Sequence, residues 1–192
     1  LMPFSGRWFH GDSVFIIDPF LWVMFSVGLL GARYVRPDLA RGRRVARYGG
    51  GAALAYLALM IALSTVGERL GRAAAESRGL GGVTEVLYSP RPASPLAADL
   101  VVRTAGGYHF GALRWFSDPR IRFDDEMVAF GDWNSSAVER ARTDPAVRNY
   151  LVWSQFPYVR VESTGADTTV FFGDARYRAG LAGGLQGIQV GL

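Results

Sequence analysis

A chain of 192 residues is long enough for one or two domains, and its lack of cysteine excludes disulfides and thiolate metal sites. All 21 basic residues are arginine, the net charge is only +4, and no dense basic block lies outside residues 33–47, which argues against nucleic-acid binding. Hydrophobic residues make up 49% of the chain and mean hydropathy is +0.12, high for a wholly soluble protein, with the apolar residues concentrated in the first third.

The chain opens Leu-Met-Pro-Phe, without the cationic n-region and A-x-A site of a signal peptide, and a start at Leu1 leads us to expect a longer protein that has lost its N-terminus. Trp8, Phe9 and His10 suit an interfacial aromatic belt. Residues 14–32 are apolar apart from Asp18, over roughly the length that crosses a bilayer as a helix. Asp18 precedes Pro19, which supports two compatible readings. The carboxylate is either a polar notch facing a bundle interior or cavity, or an N-cap with the proline at the first helical position.

Residues 33–47 hold six arginines and one acid, a positive-inside signature that places this loop in the cytoplasm; a nucleic-acid or anionic-lipid patch is the other reading. Residues 48–66 form a second membrane-length stretch, free of charge and rich in glycine and alanine. Small residues let membrane helices approach closely, so this helix is expected to pack antiparallel on the first. The alternative is a buried hairpin in a soluble helical protein. A polar continuation, with Glu68 and Arg72 paired at i, i+4, ends at Gly79, Gly81 and Gly82.

The second half reads as strands and short helices. Residues 83–88 predict a strand, and the three prolines in 89–95 exclude regular structure there. Residues 100–104 and 108–116 predict a hairpin around 105–107, with a short strand at 120–123. Asn134 or Ser135 caps a helix to about Arg142, and Asp144-Pro145 starts another to about Trp153. Residues 158–163 and 168–173 predict a second hairpin, and 185–190 a last strand. The expected fold is therefore a membrane α-helical hairpin of two transmembrane helices (about 14–32 and 48–66) within residues 1–82. It is followed by a soluble α+β domain with a mainly antiparallel sheet over residues 83–192. With the arginine loop inside, that domain is expected to be periplasmic and the protein a multi-pass one of the bacterial inner membrane, with the lipid bilayer as partner.

Candidate chemistry is sparse. The two histidines, His10 and His109, belong to no H-x-x-x-H or H-E-x-x-H pattern, so a complete zinc site is absent. His10 lies one or two turns before Asp18 and could reach the same interfacial zone as a metal ligand, or be a surface histidine. His109 alternates with Tyr108 and Phe110 and is expected on a wet face. Asp124-Asp125-Glu126, with Asp118 and Asp132 nearby, is an oxygen-rich cluster of a kind that holds calcium or magnesium, or a solvated loop, given that EF-hand spacing is missing. Asp174 and Arg176 are expected to fix a turn. Ser154 has no histidine neighbour and no G-x-S-x-G context.

Several stretches together resemble one family, the bacterial inner-membrane-associated metal-dependent hydrolases described as LexA-regulated or LexA-binding. They are Met2-Pro-Phe-Ser5 with Trp8, then Val14-Phe-Ile-Ile-Asp18-Pro19 with Leu21-Trp22, and Ser89-Pro90-Arg-Pro92-Ala-Ser-Pro95-Leu96. Tyr150-Leu-Val-Trp153-Ser-Gln-Phe156-Pro157 and Phe172-Gly-Asp174-Ala-Arg176-Tyr177 follow. The order of these motifs carries the resemblance through most of the chain. It implies that this is the C-terminal portion of such a protein and that the main histidine ligand motifs lie before Leu1. It also implies that Asp18 lines or completes a divalent-metal site. A tryptophan-arginine pair usual in the family is replaced here by Ala97-Ala-Asp99, which puts any role for that pair in doubt. Two functions are thus expected in competition. One is a metal-dependent hydrolase acting on a small-molecule or lipid substrate that the residues do not specify. The other is a non-catalytic membrane-anchored binding or regulatory protein that uses its β-rich domain.

Overall fold

In a computed structural model of the chain, residues 18–34, 38–91, 93–165, 167–177 and 187–191 are described. Helices come first and strands later, an α+β arrangement. Helix α1 (Pro19–Tyr34) begins as its local chemistry dictates. The Asp18 carboxylate Oδ1 accepts the backbone N–H groups of Phe20 (2.9 Å) and Leu21 (3.1 Å), and Pro19 occupies the first helical position, where no N–H is needed. Helix α2 (Leu39–Ser77) is started the same way by Asp38, whose Oδ1 accepts the N–H of Arg41 at 2.9 Å.

The arginine segment is therefore not a loop through residue 47. From Leu39 onward it is the first turns of a 39-residue helix, because arginine is a good helix former and a capping aspartate precedes it. Of the described helices, α2 alone is long and apolar enough to cross a membrane. Helix α1 is apolar but has 16 residues, about 24 Å at the ~1.5 Å rise of an α-helix, short of a full bilayer crossing. The expected second span and the multi-pass topology thus do not follow from α1 by itself, and residues 14–17 lie outside the described residues.

Helices α1 and α2 meet backbone to backbone. A Cβ placed on Gly49 would stand 2.6 Å from the Cα of Gly28 and 3.3 Å from the carbonyl oxygen of Met24. Further along, Gly31 faces Val45 and Gly42 faces the carbonyl of Ala32, so the helices run antiparallel. Gly49→Ala is expected to push the helices apart and cost about 1–3 kcal/mol, the usual range for overpacking. Gly51, which has open space around it, is the internal control. Gly51→Ala is expected to hold or raise stability, since alanine is the better helix former by about 1 kcal/mol. Thermal unfolding of the two variants in detergent separates the cases.

Strands β1 (Glu85–Arg91), β2 (Ser94–Arg103), β3 (Gly107–Arg114) and β4 (Ile121–Ala129) form one sheet in chain order. The prolines do not exclude strands, contrary to expectation. Pro90 sits in β1, an edge strand, and Pro95 at the start of β2, two places where a missing N–H is tolerated. Helices α3 (Ser136–Ala141) and α4 (Pro145–Trp153) start at the expected caps, Ser135 and Asp144. Strands β5 (Pro157–Thr164), β6 (Asp167–Asp174) and β7 (Gly187–Gly191) make a second sheet, antiparallel, with Tyr158 opposite Gly173 and Phe172 opposite Ile188. The β-rich part therefore holds two sheets, where one was expected.

The chain divides into two compact units. One contains residues through Ala74 with 87–100 and 112–122, the other residues 75–86, 101–111 and 123–192. In the first, the ring of Tyr88 lies on α2 at Gly67, where any side chain would collide with it, and the Tyr88 hydroxyl accepts the Trp115 indole N–H at 3.3 Å. In the second, Val138, Ala141, Val147, Val159, Val170 and Phe172 form the core between α3, α4 and the β5–β7 sheet.

Candidate functional site

Four of the residues singled out from sequence, Asp18, Ser154, Asp174 and Arg176, fall into two buried polar ties, one in each unit. In the first unit Asp18 is buried. Its Oδ1 is committed to the α1 cap, and its Oδ2 accepts the hydroxyl of Tyr56 at 2.8 Å. Tyr56 is also buried, and its ring lies 6.0 Å from that of Phe20. The cap reading of Asp18 is therefore realised, and the second oxygen of the same carboxylate faces α2. Tyr56 was not anticipated. Its signal is a phenol in the middle of a charge-free apolar stretch, since a buried tyrosine hydroxyl usually finds a partner.

The second tie is Asp174, whose side chain is fully buried at the end of β6. Its Oδ1 accepts the backbone N–H and Nε of Arg176, each at 3.0 Å. Its Oδ2 accepts Nη2 of Arg176 (2.9 Å), the Ser154 hydroxyl (2.8 Å) and the backbone N–H groups of Gln155 (2.9 Å) and Phe156 (3.4 Å). Burial by itself pushes this carboxyl up. The side-chain and backbone hydrogen bonds from Arg176, its charge and the Ser154 hydroxyl outweigh burial and hold the group below the ordinary carboxyl range.

The guanidinium of Arg176 lies 5.1 Å from the Trp153 ring centre and 5.2 Å from that of Tyr177. Those two rings stack at 5.3 Å and remain nearly half exposed. Ser154 is thus a donor to the Asp174 carboxylate. The Asp174–Arg176 pair fixes a turn, as expected, and also ties that turn to the end of α4. The amide oxygen of Gln155 is buried and has no hydrogen-bond partner among the described residues.

The remaining candidates are not brought together. His10 lies outside the described residues. His109 is half-buried in β3, where burial and then the nearby Arg78 charge lower its pKa. Asp124, Asp125 and Glu126 lie in strand β4, not in a loop, and Asp125 takes the Arg78 guanidinium at 2.6 Å. Asp99, in the stretch that departs from the family pattern, accepts two hydrogen bonds from Arg91 across β1 and β2. Among the described residues no three histidine, aspartate or glutamate side chains cluster to hold a metal ion. Asp18 offers one carboxylate with both oxygens already engaged, so the described donors do not by themselves fit a metal centre. No protein-family profile, curated protein or solved structure matches the chain.

Proposed function

We propose that the chain is the C-terminal part of an integral inner-membrane metal-dependent hydrolase, with α1 and α2 as an antiparallel membrane hairpin and the β-rich part on the periplasmic side. The observation that carries this reading is where the resemblance falls. Asp18 in one motif and Ser154, Asp174 and Arg176 in two others make the buried polar ties, and Trp153 and Tyr177 of the same motifs stack beside Arg176. The membrane setting is supported by the outward faces of both helices. Trp22, Val23, Phe25, Val27, Leu29 and Leu30 of α1, and Leu54, Leu59 and Ile61 of α2, are all more than half exposed, a surface that lipid would cover. The arginines at the start of α2 fit the cytoplasmic side.

On this reading a divalent metal would be held mainly by ligands outside the described residues and would supply an activated water. Asp18 itself holds the start of α1 against α2. The test is metal content, together with hydrolysis of a phosphoester and amide substrate panel, on the intact protein and its Asp18→Ala variant. We expect a bound divalent metal whose content falls in the variant. Unchanged metal content would remove Asp18 from the site. An intact protein with neither metal nor hydrolysis would favour a non-catalytic membrane-anchored binding protein, for which the half-exposed Trp153–Tyr177 stack is a fitting contact surface.

A further inference from the structure

An apolar groove of about 430 Å³ runs along the seam of α1 and α2, walled by Val23, Met24 and Val27 on one side and Val45, Tyr48 and Ala52 on the other. Its floor is the Gly28–Gly49 contact, where neither residue has a side chain to fill the groove. On α2 the lining follows helical spacing, and continuing the same stripe toward the N-terminus by four residues from Val45 and Tyr48 reaches Arg41 and Arg44. Side chains on a helix lean toward its N-terminus, so these guanidinium groups reach past the groove's end and not into it. Arg41 has an acid beside it, Asp38 at 3.7 Å, whereas among the described residues no carboxylate pairs with Arg44. One end of a greasy channel thus meets an uncompensated cation.

We infer that this groove binds one anionic glycerophospholipid, with an acyl chain along the α1–α2 seam and the phosphate at Arg44. Charge is what selects this occupant. A second copy of the hairpin would bring its own arginines to the same place, and a zwitterionic lipid would leave Arg44 without a net counter-charge. The inference rests on the membrane reading above and adds a defined lipid site to it.

The test is native mass spectrometry of the full chain released from vesicles of equal parts phosphatidylglycerol and phosphatidylethanolamine. One phosphatidylglycerol per chain is expected to be retained in preference to phosphatidylethanolamine. Arg44→Gln is expected to weaken retention about fivefold, as for the loss of one interfacial basic residue. Arg43→Gln, which removes the same charge from a different face, is expected to change nothing, and Ala52→Trp, which fills the groove, is expected to abolish retention. Equal losses in the two arginine variants, equal retention of both lipids, or a groove closed by a second chain would each overturn the inference. A chain that stays embedded in alkaline carbonate yet carries no lipid overturns the lipid site alone. One stripped from the vesicles overturns the membrane reading itself.

Discussion

Asp174→Ala is expected to lower stability by about 3–5 kcal/mol, the cost of leaving a buried partner charge uncompensated. The carboxylate accepts from six donors, and its removal strands the Arg176 guanidinium, the Ser154 hydroxyl and the backbone N–H groups of Gln155 and Phe156. Loss of only one donor is milder, and Ser154→Ala is expected to cost about 1.5–3 kcal/mol, as for a hydrogen bond to a charged group. Asp174→Asn should fall close to the alanine variant, because an amide nitrogen would face the donors that the second oxygen now accepts. Thermal or denaturant unfolding gives the ranking. A loss of under 1 kcal/mol in Asp174→Ala would show that the tie contributes little to the fold.

The same group sets an acid limit. Its folded-state pKa lies below the ordinary value of 3.8, so the native state binds fewer protons than the unfolded state in that range. The stability it contributes is fully present above about pH 4 and is lost as pH falls through the lowered folded-state value. In the alanine variant this component of the acid-side slope should be absent, which unfolding midpoints measured across the acid range will register.

The second large effect is at Asp18. Asp18→Ala removes the α1 cap, worth about 1 kcal/mol, and leaves the buried Tyr56 hydroxyl without its acceptor, worth about 1–3 kcal/mol. A total of about 2–4 kcal/mol corresponds to a fall of roughly 5–15 °C in the unfolding midpoint for a chain of this size. Tyr56→Phe in the same background should recover part of the loss, because the orphaned hydroxyl is gone, and a double-mutant cycle isolates that share. Asp18→Asn keeps one acceptor oxygen, enough for the cap, and turns an amide nitrogen toward the phenol, so it should fall between the parent protein and the alanine variant. Stability and metal content can therefore be separated. A variant that folds normally but loses metal would assign the Asp18 charge to a metal site, whereas parallel losses would assign it to the helix contact.

What could be read from the chain beforehand follows the range of the interaction. The start of α4 was legible to the residue and that of α3 to within one, because Ser135, Asp144 and Pro145 act on backbone groups two or three positions away. The two hairpins β2–β3 and β5–β6 were legible from alternation and a turn. The arginine-rich start of α2 was misjudged because charge was weighed and helix propensity was not, and Asp38 as a cap was overlooked. Pro90 was misjudged because a proline is harmless on an edge strand, and edge position is a property of the assembled sheet. Asp18 stood out as the one acid in an apolar stretch, but Tyr56, 38 residues away, is its partner only through the antiparallel register of α1 and α2. Ser154 joins Asp174 for the same kind of reason, across the 20 residues that β5 and β6 fold back.

Helix α2 also carries a ruler. The rise from Arg47 to Glu68 is about 31 Å at ~1.5 Å per residue, close to the ~30 Å thickness of a bilayer's hydrocarbon layer. On the proposed membrane reading, the side chains of Arg47 and Glu68 bracket one preferred depth, and the helix meets a thinner sheet of lipid by tilting. In bilayers made from progressively shorter acyl chains, that tilt would bear on the Gly28–Gly49 crossing, where the two helices have no side chains to give.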